Sequence, residues 1–395
     1  MIFWRESRSG VSPFLATLEI VNQLLLGDTT IMQSWFYKFC IWGSFSCGLL
    51  LFGNAYFTLL VSSAISYFLS YCALYIAQNS TFSYDVFLPF GILSSIYSFK
   101  LASERSQDSN QTYFYAFLSG LFLSLSELSR PFVIFLVPIF LYFVFKYFNS
   151  KPRRIFFIIA LVIFSGAWHA KLLFLNNYQI LWSNYSGRNL AGAWIQKITP
   201  MVCSDGLISD LYAQREMKRI YNHPCYIAMS KSSQDGIKAY AIENPAYVFK
   251  NITRLLGSFF EPRFQRVLYR SPNCAPDCIL LTDDETKLPE LAKEIYKILV
   301  WVFTFSFIST LIIKLGSILL KETKYKTESS DIVGNLIFIC LLILIPALAL
   351  GDDGEQVRFL KSILPILACT PFILGNQLKS LLNKTTRKTK KQLFL

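Results

Sequence analysis

Charge is what this sequence has least of. Asp, Glu, Lys and Arg make up only 16% of its 395 residues, where soluble domains average roughly 25%. Histidine is scarcer still, with two in the whole chain. Neither a P-loop nor a dinucleotide fingerprint is present, and no Ser-His-Asp arrangement can be assembled. These gaps exclude the common soluble nucleotide-binding and triad-hydrolase classes. The first stretch, "MIFWRESRSG", turns polar before an apolar core has formed, so no cleavable signal peptide is expected.

What fills the space is apolar: 53% of residues are hydrophobic and 16% are aromatic, and they come in blocks. Several blocks reach the ~17–25 residues a helix needs to cross a bilayer. The sequence therefore reads as an all-α polytopic transmembrane bundle. Nine runs are candidate spans, at 36–52, 56–77, 84–100, 113–128, 131–148, 155–172, 297–319, 333–350 and 359–376. The first pair is split only by "GNA" and the fourth and fifth only by "SRP", where Gly53 and Pro131 favour tight turns.

The net charge of +13 does not point to nucleic acid, because no basic-aromatic stripe or binding module accompanies it. The basic residues sit beside apolar runs instead: "KYFNSKPRR", "KETKYKTESS" and the tail "KSLLNKTTRKTKKQ". Assigning all three to the cytoplasm satisfies the positive-inside rule. The "SRP" turn, the 173–296 segment and "GDDGEQVR" then face the opposite side. Three regions follow: 1–172, with spans and an interfacial helix in "VSPFLATLEIVNQLLLGD"; 173–296, a non-cytoplasmic cap; and 297–395, with spans and a basic cytoplasmic tail. An odd number of spans puts the N-terminus on the non-cytoplasmic side with no preceding helix to carry it there.

Five of nine cysteines lie in apolar runs, as small buried hydrophobes. Cys203, Cys225, Cys274 and Cys278 share the 173–296 segment, where an even number suggests two disulfides with three possible pairings. "CAPDC" lacks zinc-knuckle spacing, and no metal site is expected. The same segment carries helical signals. "ENPAYVFKNITRLLGSFF" sets Val248, Phe249, Ile252, Leu255, Leu256, Phe259 and Phe260 at helical spacing, with Asn244 as N-cap and Pro245 in the first turn. "SDLYAQREMKRIYNHP" reads as a second helix, so the cap is expected to be helical.

Charges near membrane depth are costly and are functional candidates by default. On the inferred outer side they converge from separate parts of the chain: Asp85, Glu127 and Arg130, then Asp352, Asp353, Glu355 and Arg358. Arginine suits bidentate phosphate binding, and a carboxylate can serve as base toward a hydroxyl. His169 reads as a polar residue near a span end rather than a catalyst, and Lys171 as a snorkelling charge.

Several stretches taken in order resemble one family. They are "VSPFLATLEIVNQLLLGDTTIMQSWF", "YDVFLPFGIL", "FLSGLFLSLSELSRPFVIFLVPIFLYF", "AWHAKLLFLNNYQILWSNYSGRNLAGAW", "ENPAYVFKNITRLLGSFF" and "GEQVRFLKSILPIL". Together they resemble the polyprenol-phosphate-sugar-dependent glycosyltransferases of the GT-C fold, in the protein mannosyltransferase-like and lipid A aminoarabinose transferase-like branch. The resemblance implies inverting transfer of a sugar from a polyprenyl-phosphate donor to a lipid, glycan or protein hydroxyl, in a bacterial inner membrane. It implies that Arg358 and Arg130 hold the donor phosphate, with Glu127, Asp352, Asp353 and Glu355 around the substrate, and that Asp85 orients the acceptor or assists the base. No cofactor is implied. The family opens with a transmembrane helix and an outer loop bearing its main catalytic acid, and the matching stretches here begin after that place. Glu6 is the nearby carboxylate that would have to substitute. An inactive or truncated relative and a transporter of lipid-linked glycans are the alternatives.

Overall fold

The structure, a computed structural model, describes residues 29–52, 87–104, 108–167, 169–170, 235–259, 267–270, 279–282, 290–319, 329–350 and 363–393. The second candidate span, the N-terminal interfacial helix, the 209–224 helix and the four cysteines of the cap lie outside these residues. The described residues are helical, with one exception in the cap. There, β1 (Val267–Arg270) and β2 (Ile279–Thr282) pair antiparallel, Val267 opposite Thr282 and Arg270 opposite Ile279. The expectation of an all-α chain holds among the described residues, and this short pair is the exception to it. Each strand is only four residues long and carries no alternating pattern strong enough to read in sequence.

The helices run α1 (Thr29–Leu50), α2 (Phe87–Glu104), α3 (Asn110–Ser129), α4 (Val137–Tyr147) and α5 (Lys151–Leu161) in the first half. After the cap helix α6 (Pro245–Phe259) come α7 (Glu290–Leu319), α8 (Ser329–Ala349) and α9 (Thr370–Leu393). Among them α7 and α8 are long and apolar enough to cross a membrane, over Glu294–Ser317 and Ile332–Ala349. Phe132–Tyr147 and Ile363–Lys379 are shorter apolar helices. Serine and lysine dilute the others: α2 spends five of its 18 positions on Ser94, Ser95, Ser98, Lys100 and Ser103.

Those serines have a packing use. Helix α2 lies along α3, and α3 along α5. Ser95 Oγ donates to the Ser119 carbonyl at 2.7 Å, and Ser119 Oγ returns a bond to the Ser95 carbonyl at 2.9 Å. Small residues that let backbones approach and hydrogen-bond across a seam are the usual glue where the surroundings give no hydrophobic drive. Gly120 extends the seam to α5, with the Phe157 carbonyl oxygen only 2.4 Å from where a Cβ would stand.

One end of this helix group is tied by charge. Arg153 is 1% exposed; its Nε donates to Asp108 Oδ1 at 2.7 Å and its Nη1 to the Ala102 carbonyl at 2.8 Å. Lys100 Nζ reaches the Leu51 carbonyl at 3.1 Å and Arg154 Nε the Phe148 carbonyl at 2.9 Å, so cations meet the carbonyl ends of α1 and α4. Ser109 begins α3 with a reciprocal cap, its Oγ accepting from the Thr112 amide while the Ser109 amide donates to Thr112 Oγ1.

The second half is ordered differently. On α7, Ile295, Ile298, Trp301, Val302, Phe305, Ile308, Ile312 and Leu315 are exposed, while Thr304, Ser306 and Thr310 are buried. An apolar stripe faces outward, and these three polar side chains share the inner face with Val300, Phe303 and Phe307, unlike a helix packed for water. Thr370 at the start of α9 donates through Oγ1 to the Phe303 carbonyl at 3.0 Å, tying α9 to α7. Cap helix α6 begins at Pro245 as expected. Asn244 does not cap it, however: its Nδ2 donates back to the Tyr240 carbonyl at 3.3 Å, joining the helical stretch 235–243 to α6. The buried stripe of α6 is Val248, Asn251 and Leu255, packed toward α8, with Phe249 turned out at 70% exposure.

Candidate functional site

At the end of the bundle opposite Arg153, α3 stops on a sequence-encoded break. Pro131 disfavours helical backbone at the residue before it, and Arg130 is extended at φ −144° and ψ 107°. Its amide still donates to the Ser126 carbonyl at 2.9 Å, and its carbonyl accepts from Val133 at 3.0 Å. A tight 3₁₀ turn, Pro131–Leu136, then leads into α4. The break leaves Glu127 in the last turn of α3 and the half-buried Arg130 at the bend.

Glu127 is 2% exposed. A carboxylate at that depth is tolerated only when its oxygens are satisfied, and here both are. Oε2 accepts from Ser165 Oγ at 2.5 Å, and Oε1 meets His169 Nε2 at 2.5 Å. Both partners come from the far end of the α5 helix, where the hydrogen-bond ladder slips. Residues Val162–Gly166 form a π-helical turn in which the Ala167 amide donates to the Val162 carbonyl, a five-residue step. Such single-turn bulges occur often at functional sites. Ser165 and His169 are four residues apart and so share a face. The serine is buried, while the histidine side chain is 36% exposed. The arrangement is a buried carboxylate that orients an imidazole reaching the surface of the fold.

Of the residues expected at the site, Glu127 and Arg130 fall together at this bend. Asp85, Glu6, Asp352, Asp353, Glu355 and Arg358 lie outside the described residues, as does Lys171. Glu127, expected around the substrate, has its two oxygens on Ser165 and His169. Sequence reasoning treated His169 as an incidental polar residue near a span end and passed over Ser165. The available signal was weak: "FSGAWHA" sets a serine and a histidine one turn apart in an otherwise apolar run. Their common partner is 42 residues from His169, which periodicity alone does not reveal. Among the described residues, no three His, Cys, Asp or Glu side chains group closely enough to hold a metal ion.

No family model, curated protein or solved structure matches the chain.

Proposed function

We propose that the chain is an integral-membrane glycosyltransferase. It takes a sugar from a polyprenyl-phosphate donor and passes it to a hydroxyl on the non-cytoplasmic face of a bacterial inner membrane. The observation that carries this reading is the bend at the end of α3. An arginine suited to a phosphate stands one turn from a buried carboxylate and its imidazole. The outward apolar stripe of α7 and the serine seam between α2 and α3 support a lipid surround. The Lys/Arg-rich end of α9 supports a cytoplasmic C-terminus. The remaining spans of the nine, membrane lipids as surroundings and a phosphate grip by Arg358 belong to the same proposal.

Purified protein in detergent, titrated with a panel of polyprenyl-phosphate sugars, tests it. Wild type binds at least one donor and transfers its sugar, whereas Arg130→Ala and Arg358→Ala lose donor binding. Wild type that binds no donor sinks the reading.

One observation favours a second reading. Helix-breaking turns at 131–136 and 162–166 flank an ionisable cluster, and interrupted helices of this kind also line transport sites. A transporter of lipid-linked glycans would move its lipid across proteoliposomes without cleaving the sugar-phosphate bond.

A further inference from the structure

Resting on the transferase reading, we propose that His169 is the group that takes the proton from the acceptor hydroxyl, with Glu127 and Ser165 as its positioning residues. The carboxylate is poorly placed to do this itself. It is 2% exposed, and both oxygens are engaged by protein donors at 2.5 Å. The imidazole is the member of the cluster that reaches the surface of the fold.

A carboxylate on one ring nitrogen decides the tautomer and the ring's orientation. With Glu127 on Nε2, that nitrogen carries the hydrogen, and Nδ1 is left with its lone pair. Among the described residues Nδ1 has no hydrogen-bond partner. Ser165 locks the other carboxylate oxygen, so the ring is held by a group that is itself held. The π-turn at Val162–Gly166 sets the register in which Ser165 and His169 meet one glutamate. Arg130 stands one turn beyond that glutamate at the same end of the bundle.

In the step assigned to this geometry, the acceptor O–H proton passes to His169 Nδ1. The acceptor oxygen forms a bond to the anomeric carbon. The bond from that carbon to the donor phosphate oxygen breaks, and its electron pair leaves with the polyprenyl phosphate. The imidazolium that results faces the Glu127 carboxylate and later returns its proton to water.

The test has two readouts on the full chain in lipid nanodiscs. The first is nitrogen NMR of histidine-labelled protein, in which H169Q assigns the signal against the single other histidine, His223. The expected result is an Nε2-protonated ring with a bare Nδ1, and loss of that single tautomer in E127Q. An Nδ1-protonated ring in wild type overturns the proposal. The second uses undecaprenyl phosphate linked to mannose, glucose or arabinose as donor, with an alkyl glycoside as acceptor. H169A is expected to keep donor binding, to lose transfer by about 10²–10⁴-fold, and to regain part of it with added imidazole. Wild-type transfer rates in H169A, or a loss of donor binding that imidazole does not repair, overturn the base assignment while leaving the transferase reading standing. Wild type that binds none of the donors overturns the transferase reading and the proton transfer with it, whatever tautomer the ring shows.

Discussion

Replacing Gly120 by alanine tests the packing that holds the site together. A Cβ at this position lands 2.4 Å from the Phe157 carbonyl oxygen and 3.0 Å from Ala160 Cβ. The obstacle is the backbone of α5, which has no rotamer to change. Helices α3 and α5 must part by about 0.6 Å merely to reach the tightest contact real side chains show. Overpacking costs about 1–3 kcal/mol, and a rigid backbone belongs at the upper end. Alanine returns about 1 kcal/mol through its better helix propensity. The net is a destabilisation of about 2 kcal/mol. Gly316→Ala is the control, because nothing lies within 4 Å of its Cβ and only the gain of about 1 kcal/mol remains. Thermal melting of the two variants in the same detergent should move in opposite directions from wild type. The α3–α5 separation should also weaken the grip of Ser165 and His169 on Glu127, visible in the His169 nitrogen shifts. A Gly120→Ala melt at or above wild type, with Gly316→Ala raised, would refute the close approach.

Three further outcomes are expected. Asp108→Ala should cost about 3 kcal/mol, more than Arg153→Met, because it strips a partner from a buried guanidinium while the methionine removes the charge itself; melting midpoints give the order, and the reverse order counts against the pair. Ser95→Ala and Ser119→Ala should each cost about 0.6–1.7 kcal/mol, because each removes one hydroxyl-to-carbonyl bond across the seam, and melting midpoints unchanged in both would mean that these bonds contribute nothing. A spin label at Phe305→Cys, on the outward face of α7, should be reached by oxygen and shielded from a water-soluble nickel complex in nanodiscs; water-like access there would remove that face from lipid.

The readable parts of this chain are those governed by neighbours in sequence. The Arg130–Pro131 break, the helices on either side and the start of α6 at Pro245 all follow from what proline does to its own backbone and its predecessor's. The same rules misjudge Asn244, whose side chain chose the carbonyl behind it over the amides ahead. Helical spacing placed Phe249 with the apolar residues of α6, yet Asn251 is buried and Phe249 is out. With an aromatic side chain outward and an amide inward, hydrophobicity stops marking the inside of this helix. The Glu127 cluster was half legible. A carboxylate beside an Arg-Pro turn stands out in an apolar run, whereas its partners depend on a fold that brings α5 alongside α3.

The π-turn at Val162–Gly166 amounts to one residue more than an α-helix needs. Drawn into a continuous four-residue ladder, the same residues would turn everything beyond them by about 100° about the helix axis. His169 would swing off Glu127 with every side chain chemically unchanged. The surplus residue is therefore what points the imidazole, and the helix carries slack in its length at this point. Losing one codon at 162 or 163 should close the turn into plain helix and leave Ser165 and His169 on Glu127, whereas a codon gained there should swing both away.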